Sequence, residues 1–244
     1  AQAAEDVRKI AQGKPDLIKL MITGGVLDAE VVGEPGVLRM QPALVKAACD
    51  KAHALGMKVA AHVESPEGVR VALENGVDSI EHGAKPDDEM IELFKRRGAF
   101  LCTTLSPALP YALFDRSVSN ASEVEQYNGT IVFEGIIDCA KAALANDIPV
   151  VLGNDVGCPW ITQYDFWREL FYFHKYTGVS NAFALYTATS RSAELAVGVF
   201  SQRISSRGQS LGGRGGAKSR IICWSRAFAM NGFSTASAPP TQPG

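Results

Sequence analysis

Residues Val59 to Gly83 read VAAHVESPEGVRVALENGVDSIEHG, and the fold class turns on this stretch. Its first part belongs to an apolar run, Met57 to Val63, with the short, β-branched character of a buried strand. Ser65-Pro66-Glu67 then places a capping hydroxyl before a proline at the first helical position, which predicts a helix running to Asn75-Gly76. A second strand, VDSIEH, follows directly. Strand, capped helix and strand within so short a span make a βαβ unit. Both strands are apolar on both faces, as parallel strands covered by helices must be.

The same rhythm extends outward. Upstream, AEDVRKIAQG ends a helix at Gly13, Asp16 to Ile22 reads as a buried strand, and Pro42 to Leu55 as a helix stopped by Gly56. Downstream come a helix from Asp87 to Arg97 with Gly98 behind it, the strand AFLCTTL, a long loop from Ser106 to Asn120, and a long helix from about Ala121 to Asn146. The strand IPVVLG and helices near Thr162 to Tyr176 and Asn181 to Thr189 complete the pattern. Five strands alternating with helices predict a parallel α/β architecture. The pattern by itself leaves a doubly wound sheet and a (β/α)8 barrel open. No GxGxxG follows any strand, and Gly212 to Ser219 has Ala217 where a P-loop requires glycine, so neither nucleotide motif is present.

Composition narrows the class. At 46% apolar and 20% charged, the 244 residues fit a globular protein. No run approaches the length of a membrane span, and the start has no signal-peptide core, so a cytoplasmic location is expected. The five cysteines form no CxxC pair, which speaks against a disulfide framework or zinc knuckle and for a reducing compartment. The net charge of −2 hides a split: through Gly198 there are 18 basic and 26 acidic residues, whereas Val199 to Gly244 carries 6 basic residues and no acid. Two regions are therefore expected, residues 1–198 as an α/β unit and 199–244 as a disordered Ser/Arg/Gly/Pro tail. Six basic residues without interleaved aromatics before Trp224 are a faint basis for nucleic-acid binding, which is not expected.

In either parallel architecture the chemistry lies at the carboxyl ends of the strands. Four polar residues stand there: Lys19 in IKLMITGG, His62 in VAAHVES, His82 in SIEHG and Asp155 in VVLGNDVG. A strand-end histidine is commonly a hydrogen-bonded structural residue, and an aspartate after a strand is commonly a helix cap. A lysine in an apolar strand is harder to dismiss, because an unpaired buried ammonium is costly. As a carbamate, formed with CO2, Lys19 would become an anionic oxygen donor able to bridge two cations. Two imidazoles, that bridge and one Asp suit Zn²⁺ or a similar divalent ion. His53 and His174 read as ordinary helix residues.

On these residues the chain resembles the amidohydrolase superfamily, in particular its imidazolonepropionase-related and prolidase-like members. VAAHVESPEGVRVALENGVDSIEHG is similar to the fifth and sixth strand units of that family, IKLMITGG to its fourth and VVLGNDVG to its eighth. TATSRSAELA, Thr187 to Ala196, resembles the helix after the barrel. The resemblance implies a (β/α)8 barrel represented here by its fourth through eighth strands, and a binuclear metal-dependent hydrolase of amide, cyclic amide or dipeptide C–N bonds. Lys19 would bridge the ions, His62 and His82 would ligate one, and Asp155 would bind the metal and act as the catalytic proton acceptor. Bound metal lowers the pKa of its water to about 7 and polarises the scissile carbonyl. The family's first-strand HxH occurs nowhere in the 244 residues, and the text changes abruptly after Ala196. The expectation is thus an amidohydrolase fragment, inactive by itself, acting in complete form on small amides or dipeptides, with a homo-oligomer compatible. The alternative is a non-catalytic half-barrel serving as an interaction module or a degenerate relic.

Overall fold

The computed structural model describes residues 2–196. The expected tail, 199–244, lies outside the described residues, as do 197 and 198. Helix α1 (Gln2–Ala11) leads into β1 (Leu17–Met21), and α2 (Pro42–Ala54) connects it to β2 (Lys58–Val63). The unit that decided the class follows as read: α3 (Pro66–Glu74), then β3 (Ser79–His82). Ser65 Oγ accepts from Gly68 N at 3.2 Å, with Pro66 at the start of the helix. Next come α4 (Asp88–Arg97), capped by Asp87 and closed by left-handed Gly98, and β4 (Phe100–Thr103). The chain continues through α5 (Leu105–Leu113), α6 (Arg116–Ser119), α7 (Glu123–Ala145) and β5 (Val150–Leu152). After β5 a 3-10 turn (Gln163–Asp165) precedes α8 (Phe166–Thr177), and α9 (Asn181–Tyr186) runs into a π-helical turn (Thr187–Arg191).

All five strands are parallel and lie in the order β1-β2-β3-β4-β5, each hydrogen-bonded to its sequence neighbour. A doubly wound sheet reverses direction at a switch point; this one does not, which selects the barrel-type arrangement. Ile18, Leu20, Val59, Val63, Ile80 and Leu101 fill the core between sheet and helices. The opposite face carries a polar set in register, with Lys19 beside Ala60 and Met21, His62, Glu81 and Cys102 forming one row across four strands. Among the described residues, no helix is long and apolar enough to cross a membrane. Cys49, Cys102, Cys139 and Cys158 are free thiols, and Cys223 lies outside the described residues.

One expectation fails. Ser106 to Asn120 is not a long loop, because most of it is helical in α5 and α6. The prolines of LSPALPYAL argue locally against a helix. The deciding interaction is remote: the Glu169 carboxylate of α8 accepts from Leu105 N at 2.7 Å, Ser106 N at 2.8 Å and Ser106 Oγ at 2.5 Å. It satisfies the free N–H groups of the first turn and complements the helix dipole. Burial raises the Glu169 pKa to about 7, against the lowering effect of those three donors.

Candidate metal centre

The segments after β1, β2, β3 and β5 meet at one end of the sheet. His62 is the penultimate residue of β2, and Glu64 follows two residues later. Period-two alternation puts both on one side of the strand. His82 closes β3, but its register partner is Val63, whereas His62 is opposite Glu81. A fully extended His82 would project to the side occupied by the buried Val63. Its backbone instead adopts φ 71°, left-handed for a non-glycine residue. That conformation costs about 1–2 kcal/mol and turns the imidazole toward His62. The two rings meet edge to face with centroids 4.6 Å apart and an interplanar angle of 72°. His62, Glu64 and His82 each bring a donor atom within 4.8 Å of the others.

The hydrogen bonds sort the ring nitrogens. Gly24 O can only accept, so the 3.2 Å contact with His62 Nε2 fixes the proton there and leaves Nδ1 with its lone pair. His82 Nδ1 is 2.5 Å from Thr104 Oγ1, which leaves Nε2 available. Burial, followed by the nearby Lys19 charge, lowers the His62 pKa to about 4. Burial, His62 and Lys19 together hold His82 well below its ordinary value. Both rings are therefore neutral near pH 7, the form that ligates a metal. Glu64 is pushed up to about 8 by burial, reinforced by Asp155 and Asp28 and opposed by its bond from Val26 N at 3.1 Å. A cation between the imidazoles would relieve that cost. The first loop leaves room for such an arrangement, since a Cβ on Gly25 would stand 3.0 Å from Glu64 Oε2 and 3.4 Å from the His62 ring. The donor set, its two neutral imidazoles and its clearance fit a divalent ion, whose charge would draw the Glu64 carboxyl into its ionised, ligating form.

Lys19, at the middle of β1, is partly buried rather than sealed in the core. Its charge acts on His62, His82, Glu64 and Cys102, so its ammonium is close to the same centre. Among the described residues it has no ion-pair partner. Asp155 is exposed, left-handed at φ 49°, and accepts from Cys158 Sγ at 3.1 Å. It stands outside the three-donor cluster but acts electrostatically on His62 and Glu64. The structure thus brings His62 and His82 into contact and leaves Lys19 and Asp155 around them.

Sequence reading missed Glu64 and Thr104. Glu64 was legible, since the i, i+2 spacing from His62 defines a shared strand face. Thr104 carried no local signal, because its partner is 22 residues away. His53 and His174 have structural partners: His53 Nε2 lies 2.7 Å from Asp78 Oδ2, and His174 Nδ1 2.6 Å from Val179 O.

A model of the amidohydrolase family matches residues 1–201. A provisionally assigned prolidase from Bifidobacterium longum superposes with a TM-score of 0.74 and 36% identity, over 81% of this chain and 48% of that one. A Xaa-Pro dipeptidase with methionine bound in its active site gives a TM-score of 0.70 at 28% identity, over 81% and 48% of the two chains. Ochratoxinase from Aspergillus niger is 31% identical over 111 residues, or 43% of this chain and 22% of its own length. The chain therefore spans about half the length of these solved structures and about a fifth of that curated relative. A match over most of the sequence, with a sequential parallel sheet and a histidine-carboxylate cluster at its carboxyl end, is decisive: the chain belongs to the amidohydrolase family.

Proposed function

We propose that this chain supplies the metal-binding part of a hydrolase acting on C–N bonds of small amides, cyclic amides or dipeptides, with zinc as the divalent ion. The observation that carries the reading is the convergence of His62, Glu64 and His82 beside Lys19 at the carboxyl end of the sheet. His62 Nδ1, His82 Nε2 and a Glu64 oxygen would hold the ion, and Lys19, as its carbamate, would complete the site. When bound, such an ion polarises the amide carbonyl and acidifies water.

The protein's own groups then have defined tasks. The Gly24 carbonyl holds His62 in a single tautomer, and the Thr104 hydroxyl holds the His82 ring by its Nδ1, so that the remaining ring nitrogens would face the ion. Asp155 takes the proton released by the attacking water and delivers it to the leaving nitrogen, giving a carboxylic acid and an amine. Its left-handed backbone and the Cys158 thiol fix where its carboxylate sits. With no HxH in the 244 residues, a second ion would lack its histidine ligands, and the chain by itself is expected to turn over substrate slowly or not at all.

A carbamate assay tests the reading. Zinc and ¹³C-bicarbonate should give the wild-type chain a carbamate resonance in ¹³C NMR that Lys19→Met abolishes. Dipeptide hydrolysis at a rate unaffected by chelator or by Asp155→Asn would overturn the mechanism, as would identical ¹³C spectra for the two chains.

A further inference from the structure

Between α5, α8 and the segment after β5 lies a cavity of about 150 Å³. Leu109, Pro110 and Phe114 wall one side; Trp160, Ile161 and Tyr172 wall the other. Phe114 and Trp160 meet edge to face, with centroids 6.2 Å apart at 80°. A cavity of this size lined by apolar groups admits one benzene-sized molecule.

Three of its polar lining residues, Ser106, Asp165 and Arg168, are already paired. Ser106 Oγ donates to Glu169 at 2.5 Å. Asp165 accepts from Thr162 Oγ1 at 2.8 Å and faces Arg168 Nε at 3.3 Å. The Arg168 guanidinium also stacks over Trp167, 5.5 Å from the ring centroid. A charged guest would have to break one of these pairs, so the cavity selects a neutral apolar group.

Two chain segments tie the cavity to the candidate metal centre. Ser106 is two residues beyond Thr104, the partner of His82. On the other side, Asp155 accepts from the Cys158 thiol, and Cys158 O accepts from Ile161 N at 3.0 Å, so one compact turn carries both the proposed proton acceptor and a cavity wall. Cys158 also lies within electrostatic range of Glu64.

We propose that this cavity is a specificity subsite that takes a single-ring, uncharged side chain of the amide or dipeptide substrate. The assignment rests on the hydrolase reading and specifies which substrates that site would prefer.

Saturation-transfer NMR on the full chain, with benzyl alcohol, benzoate, N-acetylphenylalanine amide and N-acetylalanine amide as probes, tests it. Benzyl alcohol should bind the wild type more tightly than benzoate does, and its affinity should fall about tenfold in Trp160→Ala, which removes an aromatic contact, and in Ile161→Trp, which fills the cavity. N-acetylphenylalanine amide should displace benzyl alcohol and bind more tightly with zinc present, and the alanine amide should not displace it. Thermal melts establish that both variants are folded. Equal binding of benzyl alcohol by wild type and folded variants, benzoate binding tighter than benzyl alcohol, or displacement by both amides alike would overturn the subsite. Failure of the wild type to retain zinc, with ring binding intact, would instead overturn the hydrolase reading on which it rests.

Discussion

Replacing Thr104 with valine keeps the shape of the side chain and removes one atom's chemistry, the hydroxyl 2.5 Å from His82 Nδ1. Thr104 and His82 are both almost fully buried, so no solvent stands ready to replace the lost partner. An unsatisfied buried polar group costs about 1–3 kcal/mol of stability. The second effect is on metal affinity. A ring freed at Nδ1 can shift tautomer or rotate, and losing a partner of this kind typically weakens metal binding about 10–100-fold. Thr104→Ser retains the hydroxyl and should recover most of that affinity. The assay is competition for zinc against a chromophoric chelator, run beside urea denaturation of the zinc-free chain. A valine variant that loses stability yet binds zinc as tightly as the wild type would refute the orienting role and leave Thr104 a packing residue.

At the opposite end of the sheet, Asp78 accepts from Val59 N at 2.9 Å and faces His53, Lys58 and Arg97 at 2.7, 3.0 and 3.1 Å. Asp78→Ala should cost about 3 kcal/mol in urea melts, mostly from the stranded buried N–H, since the partly exposed cations can rehydrate. Burial raises the Asp78 pKa, but His53, the Val59 N–H and Lys58 outweigh it and hold the carboxyl below its ordinary 3.8. Its stabilisation is therefore present above about pH 3.8 and lost as pH falls through the lower folded value; an acid titration of stability with the same slope in Asp78→Ala would contradict this. Glu169 has the reverse sign: its folded pKa of about 7 exceeds its ordinary 4.5, so its contribution is complete below 4.5 and declines as pH rises toward 7. Glu169→Gln should flatten that part of the stability profile while loosening the start of α5, seen as faster amide exchange at Leu105 and Ser106; unchanged exchange would count against the cap. Gly68→Ala should destabilise the chain by about 1–3 kcal/mol, because a Cβ there would overlap the methyl groups of Thr23 and Val63; a melt unchanged from wild type would show that the helix can shift freely.

The strands and most of the helices were legible because their signals are local. Ser65-Pro66 starts α3, Gly98 ends α4, and uninterrupted apolar runs mark strands buried on both faces. Strand order was not legible: a run such as Leu17 to Met21 reads the same in a barrel and in a doubly wound sheet, and only pairing distinguishes them. Helix α5 escaped notice because its start depends on a carboxylate more than 60 residues away. At the site, strand-end chemistry singled out His62 and His82, but the device that unites them is a left-handed turn at His82 that compensates for a one-residue offset in register. Glu81, which alternation places opposite His62, instead takes the Ser79 hydroxyl at 2.8 Å. Sequence spacing gives no hint of that exchange.

The most direct test of the central claim is equilibrium zinc binding by the wild-type chain and by His62→Ala, His82→Ala and Glu64→Gln, each confirmed as folded by its melt. One tightly held ion per wild-type chain is expected, with an affinity at least about tenfold lower in every variant, since each removes one of the three donors that cluster among the described residues. A wild-type chain that retains no zinc, or three variants that bind it as tightly as the wild type, would contradict the assignment of this cluster as a metal centre.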